Sequence, residues 1–200
     1  MLFVTEMPKE ARDKLLYASL VLFSNESYKN TSVLDIVEMA HVSKTTFYQH
    51  FSSKEELIEV LFKEIFSEII EEVNLAIGKE NRTAYKAYAG IRRYIEICFT
   101  DVKVANLMLV ESVGVSQGVE QARSEAHRQF AQLMFQTVQG LLPAAVSETE
   151  IKIVSQAMIG AINEVVVQNY NETEHGLVHF DELARLLNRI VVAAFVNLAN

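Results

Sequence analysis

The chain has 200 residues, 50% of them hydrophobic and 22% charged, with a net charge of -8. That length suits one sizeable domain or two small ones, and the acidity argues against broad polyanion binding while leaving room for a small neutral or basic contact surface. The one cysteine, Cys98, excludes a disulfide framework within the chain and suits a reducing cytoplasm, and no apolar run approaches the roughly 18 residues that a membrane span needs. In chain order, the opening "MLFVTEMPKEARDK" has neither a basic n-region nor a long apolar run, so it does not read as a signal peptide. With 2 Pro, 7 Gly and no long Val/Thr alternation, the chain reads as all-α. A first helix is expected over 8–24, with Pro8 in its first turn and an apolar stripe through Leu15, Leu16, Ala18, Ser19, Leu22 and Phe23. "NESYKN" breaks the period, and Ser32 then caps a short helix with Asp35 three residues on. "HVS" is a tight connection after which Ser43 caps another short helix. Ser53 and Glu56 of "SKEE" form a capping box for a long one whose apolar face runs from Leu57 to Val73.

Beyond Gly78 the helical period continues over 83–99, 104–113, 119–142, 147–170 and 181–199, with breaks at "GVSQG", Pro143 and "NETEHG". Nine helices, short ones first, point to a small N-terminal module on a larger helical bundle.

The stretch "HVSKTTFYQHF", residues 41–51, packs small hydroxyls, a lysine, a tyrosine and two histidines onto about three turns. Two short helices joined by a three- or four-residue turn make a helix-turn-helix, whose second helix carries base-reading side chains. Val42 and Phe47 face inward, which leaves Lys44, Thr45, Thr46 and Tyr48 outside. Threonine can bond base edges through its hydroxyl and pack its methyl on thymine. Lys44, Tyr48, His50 and Lys54 suit phosphates, as does Thr31 at the head of the preceding helix, and the free amides at Ser53 and Lys54 offer a further phosphate seat. Lys29, Lys44 and Lys54 stand against Asp35 and Glu38 here, so modest affinity per subunit is expected.

"TSVLDIVEMAHVSKTTFYQHFSSKEEL", residues 31–57, resembles the DNA-binding signature of the TetR family of transcriptional regulators, and "LLYASLVLF" before it resembles that family's first helix. The resemblance implies an all-α homodimer with an N-terminal helix-turn-helix domain, here 1–53. A variable C-terminal domain for effector binding and dimerisation would follow, here 54–200. It also implies a cytoplasmic regulator that is not an enzyme, most often a repressor, bound to a palindromic double-stranded DNA operator and needing no cofactor or membrane. The family usually carries Gly where this chain has Ser27, His41 and Thr45. Ser27 and His41 fall at turns where Gly would relieve a left-handed backbone, at a cost of around 1 kcal/mol each. Thr45 lies on the reading face, where a change alters sequence preference rather than stability.

The larger domain carries aromatic and methionine side chains at helical spacing, a pattern that core packing alone also produces. Read as a cavity for a small apolar or amphipathic effector, its lining is Tyr88, Tyr94, Met108, Phe130 and Met134, with Glu111, His127 and Asn163 as polar anchors. Val154, Ala157, Gly160, Ala161, Leu187, Ile190, Ala194 and Phe195 mix small and large apolar types on the last two helices, which suits a four-helix dimer interface. His175 and His179 have metal-pair spacing, but Gly176 and the absence of further ligands weigh against zinc; Cys98 between Ile97 and Phe99 reads as packing. No phosphate loop, dinucleotide fingerprint or nucleophile elbow occurs. Two rival functions remain: a DNA-binding regulator controlled by a protein partner, and an α-helical enzyme or carrier using the same cavity.

Overall fold

In the computed structural model the described residues, 1–143, 146–170 and 179–198, form nine α-helices and no strand. They are α1 (Ala11–Glu26), α2 (Val33–Met39), α3 (Lys44–His50), α4 (Lys54–Lys79), α5 (Lys86–Thr100), α6 (Val102–Asn106), α7 (Gln117–Val138), α8 (Glu148–Asn169) and α9 (Phe180–Leu198). The chain divides into two compact units, Met1–Glu68 with Asp101–Arg123, and Ile69–Thr100 with Ser124–Asn200. This division by compactness interleaves the two halves of the chain: α4 and α7 each contribute to both units.

In the first unit, α1 begins at Ala11 rather than Pro8, because Glu10 keeps an extended backbone with ψ 140°. Its residues Leu15, Leu16, Leu20 and Phe23 are buried together with Ile36 of α2, Phe47 of α3 and Leu57, Ile58 and Leu61 of α4. Asp101 starts α6: its carboxylate accepts from the Val104 amide at 3.4 Å and from the Phe3 amide at 2.8 Å. Val104 and Leu107 from this second stretch of the unit are fully buried, and α6 packs on α1. A single π-helical turn, Leu107–Glu111, follows, closed by the Ser112 amide on the Leu107 carbonyl.

The caps follow the sequence closely at α2, where Ser32 and Asp35 form a reciprocal capping box, and at α3, where the Ser43 hydroxyl accepts from the Thr46 amide. At α4 the expected box is shifted. Ser53 Oγ accepts from the Glu56 amide, but the Glu56 carboxylate takes the Ser52 amide at 2.6 Å and the Ser52 hydroxyl at 2.5 Å. The carboxylate thus reaches one residue further back, where two donors are offered instead of one.

The two turns flanking α2 are strained, as their sequence predicts. Ser27 holds φ 76°, ψ 155°, a conformation almost confined to glycine. His41 holds φ 53° and sits just past the α2 C-cap. There the Val42 amide reaches the Val37 carbonyl at 3.0 Å and the His41 amide reaches that of Glu38 at 3.1 Å. That pair of bonds is the Schellman motif, whose left-handed position glycine usually fills. Between these turns, Lys54 Nζ donates to the carbonyls of Tyr28 (2.8 Å) and Thr31 (2.7 Å) and lies 4.1 Å from the Tyr28 ring centroid. Partial burial lowers its pKa, and the carboxylates of Glu55 and Asp35 act the other way.

The second unit packs α9 on α5 and α8. Its core includes Val73, Ile91, Tyr94, Ile95, Met134, Phe135, Ile159, Ile162, Val166, Leu183, Leu187, Val191 and Phe195, all buried. Ser147 and Glu150 cap α8 with a second reciprocal box. Ion pairs from Arg92 to Asp181 (2.7 Å) and Arg93 to Glu72 (2.7 Å) tie α5 to α9 and to the end of α4. Cys98 is buried, whereas His175 falls among the residues left undescribed.

Two outcomes in unfolding experiments follow. Ser27→Gly is expected to raise stability by about 1–2 kcal/mol and His41→Gly by about 1 kcal/mol or less, since histidine tolerates the left-handed region better than most residues. In a chain of this size each kcal/mol lifts Tm by about 2–4 °C, so calorimetry of the two variants reads them directly. Lys54→Met, which removes a charge-assisted donor from two carbonyls, is expected to cost about 1–3 kcal/mol by the same measurement.

Candidate functional site

α3 has only seven residues, too few to persist alone in water, so its geometry comes from its anchors. Phe47 is fully buried and Phe51, just past the helix end, nearly so, with ring centroids 6.0 Å apart. Tyr48 sets its ring against Phe47 edge-on at 5.2 Å yet keeps 52% of its surface exposed. Lys44, Thr45, Gln49 and His50 are exposed as well. Thr45, Tyr48 and Gln49 stand at i, i+3 and i+4, so they share one face and project together from a helix held by its opposite side. Threonine hydroxyl, tyrosine hydroxyl and glutamine amide offer donors and acceptors in the sizes that base edges require.

Not every residue named from the sequence stands on that face. Thr46 is half-buried, its hydroxyl 2.8 Å from that of Ser43 and its amide inside the cap. Thr31 is buried to 1% exposure, and its hydroxyl donates to the Ser27 carbonyl at 2.8 Å, closing the α1–α2 turn instead of facing outward. Lys54 is likewise committed to the carbonyls of Tyr28 and Thr31, which that turn brings within reach of its ammonium. Gln49 was missed, although its spacing from Thr45 already placed it on the reading face.

In the second unit a small cavity of about 50 Å³ lies among α4, α5, α7 and α8. Of the eight lining residues expected from the sequence, it gathers Tyr94, Phe130, Met134 and Asn163, together with Val73, Ile77, Ala87, Gly90, Ile91, Leu133, Thr137, Ile159 and Ile162. Tyr94 and Phe130 meet edge-on at 5.2 Å. The Tyr94 hydroxyl donates to Asn163 Oδ1 at 2.8 Å, and burial pushes the phenol pKa well up, so it stays a neutral donor. Gly90 is where α5 comes close to α4: a Cβ there would stand 2.9 Å from the Ile77 side chain.

The other four expected lining residues lie elsewhere. Met108 and Glu111 belong to the first unit, where the Met108 carbonyl accepts from Arg123 (3.0 Å) and Glu111 Oε2 accepts from the Tyr28 amide (2.7 Å). Glu111 thereby satisfies a backbone donor beside the strained Ser27 turn. Tyr88 is turned to the opposite side of α5, and His127 contacts the Gln156 carbonyl at 3.3 Å without lining the cavity. Among the residues expected at a dimer interface, Ala157, Ala161 and Ile190 are exposed and Val154, Gly160 and Ala194 partly so. Leu187 and Phe195 are corrections: each is 4% exposed, facing the core of its own unit, because the inward stripe of α9 runs through Leu183, Leu187, Val191 and Phe195. The outward apolar residues of α9 are instead Leu186, Ile190, Val192 and Val196, and Ile153 is the corresponding one on α8.

Comparison with known proteins places these features. Residues 15–61, which run from α1 through α3 into α4, match the family model described as bacterial regulatory proteins, tetR family. The HTH-type transcriptional repressor KstR2 of Mycolicibacterium smegmatis is 33% identical over 57 residues, 28% of each chain. The HTH-type transcriptional regulator TcmR of Streptomyces glaucescens is 41% identical over 49 residues, 24% of this chain and 22% of that one. The chain thus spans about a quarter of the length of these curated relatives. The transcriptional regulator FadR of Bacillus subtilis, solved in complex with stearoyl-CoA, superposes with a TM-score of 0.77 at 18% identity over 90% of this chain and 97% of its own. That likeness concerns the fold and extends it over both units. Residues 15–61 thus carry the TetR-family signature, and over 90% of its length the chain shares its fold with the B. subtilis FadR structure.

Proposed function

We propose that the protein is a homodimeric transcriptional regulator that reads a palindromic operator through α3 and is released from it, as a repressor, by an apolar or amphipathic small molecule. The observation that carries the reading is the outward face of Thr45, Tyr48 and Gln49 on a helix anchored by buried Phe47. The domain division by function falls at 53/54, with DNA reading before it and effector binding and dimerisation after it. Both relatives matched across the N-terminal helices carry transcription-regulator names, which supports the same work here. We place dimerisation on the exposed apolar residues of α8 and α9, among them Ile153, Ala157, Ala161, Leu186 and Ile190. A two-fold pair would set two reading helices about 34–36 Å apart, one turn of duplex.

The effector reading rests on the cavity, whose walls are apolar apart from the Tyr94–Asn163 pair and Thr137. The stearoyl-CoA held by the B. subtilis FadR structure supports a ligand with a long apolar part. Differential affinity for a ligand-bound form need supply only about 1–3 kcal/mol to switch operator occupancy.

Binding-site selection tests the reader. Thr45→Ala and Gln49→Ala are each expected to change base preference, at about 1–3 kcal/mol for the position they read. Lys44→Ala is expected to weaken all sequences alike and to reduce the salt slope by about one. Unaltered consensus sites from both the Thr45 and Gln49 variants would refute α3 as the reading element. For assembly, the double variant Ala161→Asp/Ile190→Asp places charges on residues that are exposed in the single chain, so sedimentation should return folded monomers. A dimer that survives both charges would move the interface elsewhere. For control, Ala87→Phe fills the cavity from α5 and is expected to lower operator affinity about 5–150-fold without any ligand. Parental affinity in that variant, together with no response to hydrophobic metabolites, would hand control to a protein partner.

A further inference from the structure

Five of the eight arginines in a chain of net charge -8 surround one groove of the second unit: Arg82, Arg92, Arg93, Arg185 and Arg189. The groove lies on the side of α5 that carries Tyr88 and Arg92, with Tyr85 of the turn before α5 at its rim, between the end of α4 and α9, and has a volume of about 870 Å³. It is separate from the apolar cavity: no residue lines both.

The five cations are not equivalent. Arg82 is matched by Glu80 through two hydrogen bonds of 3.1 Å. Arg92 is taken by Asp181 and Glu96, and Arg93 by Glu72 and Glu96. Arg185 and Arg189 have no acidic partner among the described residues, and both are exposed. Standing four residues apart on α9, they put two guanidinium groups on one side of the groove. The one carboxylate of the lining not already engaged is Glu182, so the two free arginines outweigh it. Guanidinium pairs of this kind bind phosphate oxygens bidentately.

Two further features give the groove a shape beyond charge. At its rim the Arg82 guanidinium carbon lies 4.0 Å from the centroid of the Tyr85 ring, and Tyr85 is 48% exposed. A cation stacked on an aromatic ring is a surface on which nucleobases stack. Between the two arginines, on the flank that faces the groove, Asn188 carries a buried amide oxygen with no hydrogen-bond partner among the described residues. A buried acceptor left open costs free energy that a ligand hydroxyl or amino group would recover.

We propose that this groove is a binding site for a nucleoside polyphosphate, with its phosphates on Arg185 and Arg189, its base against the Arg82–Tyr85 stack and a ribose hydroxyl or base amino group on Asn188. It gives the protein a second ligand, one that does not enter the apolar cavity. The nucleoside diphosphate chemistry it recognises is carried both by free nucleotides such as ADP and by coenzyme A, and affinity separates the two sources.

Calorimetric titration of the full chain with ADP, ATP, coenzyme A and inorganic pyrophosphate at low salt is the test, with no DNA in the cell. Saturable binding of a nucleotide is expected, and pyrophosphate should bind at least about fivefold more weakly because it forgoes stacking. The source is ADP or ATP if these bind more tightly than coenzyme A, and coenzyme A if the order is reversed. Arg185→Ala/Arg189→Ala should lower the affinity by about tenfold or more. Tyr85→Ala should lower it about fivefold, with recovery in Tyr85→Phe. These positions are exposed, so circular dichroism should show the fold unchanged. The proposal is overturned if none of the adenosine compounds binds at about millimolar concentration. Pyrophosphate binding as tightly as ADP, or parental affinity in the double arginine variant, overturns it equally. A loss of duplex DNA affinity in that variant, without change in ADP affinity, would assign the arginines to DNA phosphates and overturn it as well. Because the readout needs no operator, failure here leaves the DNA-reading assignment standing, and the reverse holds too.

Discussion

A helix of seven residues cannot hold its own shape in water, and the surface proposed to read DNA is such a helix. What fixes α3 is one aromatic side chain: Phe47, buried to completion, with Phe51 and Tyr48 packed against its ring. Burying a phenylalanine contributes roughly 1.5–3 kcal/mol, enough to offset much of the ordering cost of so short a segment. The Ser43 cap then satisfies the amide that the helix start leaves open. With the inner side fixed, the outer residues have a defined direction, and rigidity of that kind is what lets a few hydroxyl and amide groups distinguish one base edge from another. Because α2 sits next to α3 and the α1–α2 turn next to α2, the hydrogen bonds of Thr31, Lys54 and Glu111 to that turn serve the same end.

Those three residues also mark where sequence reasoning stops. Local features were legible: the boxes at Ser32–Asp35 and Ser147–Glu150, the cap at Ser43, the helix order, and the two turns where Ser27 and His41 replace glycine all follow from near neighbours in the chain. Lys54 was not legible, since whether an ammonium meets a DNA phosphate or a carbonyl 23 residues away depends on the turn folding back to it. The same holds for Glu111, whose acceptor role is toward an amide 83 residues earlier. Of the aromatic and polar residues of the C-terminal half, Tyr94, Phe130, Met134 and Asn163 converge on one cavity. The convergence fails for Met108 and Glu111 because the short α6 and the π turn after it pack in the other unit. On α9 the error was one of phase: alternating large residues supply two apolar stripes, and only packing shows that the one through Leu187 and Phe195 is inside.

The second unit keeps its polar and apolar chemistry on opposite sides of one helix. α5 turns Ala87, Gly90, Ile91 and Tyr94 to the cavity, and Tyr88, Ala89 and Arg92 to the groove. A helix with two functional sides transmits little by bending, but a small rotation about its own axis alters both sides together. The ion pairs of Arg92 and Arg93 set the resistance to such a rotation, since each would have to be broken or remade.

The strained backbone at Ser27 and His41 has a bearing on time as well as on energy. Both sites bracket α2, so the strain is relieved when α2 and its turns open, without any need to unfold α1 or α4. The strain lowers the free energy of this local opening just as it lowers that of global unfolding. In hydrogen exchange the amides of α2 would lose protection earlier than those of the surrounding core, because α2 can open while α1 and α4 stay folded.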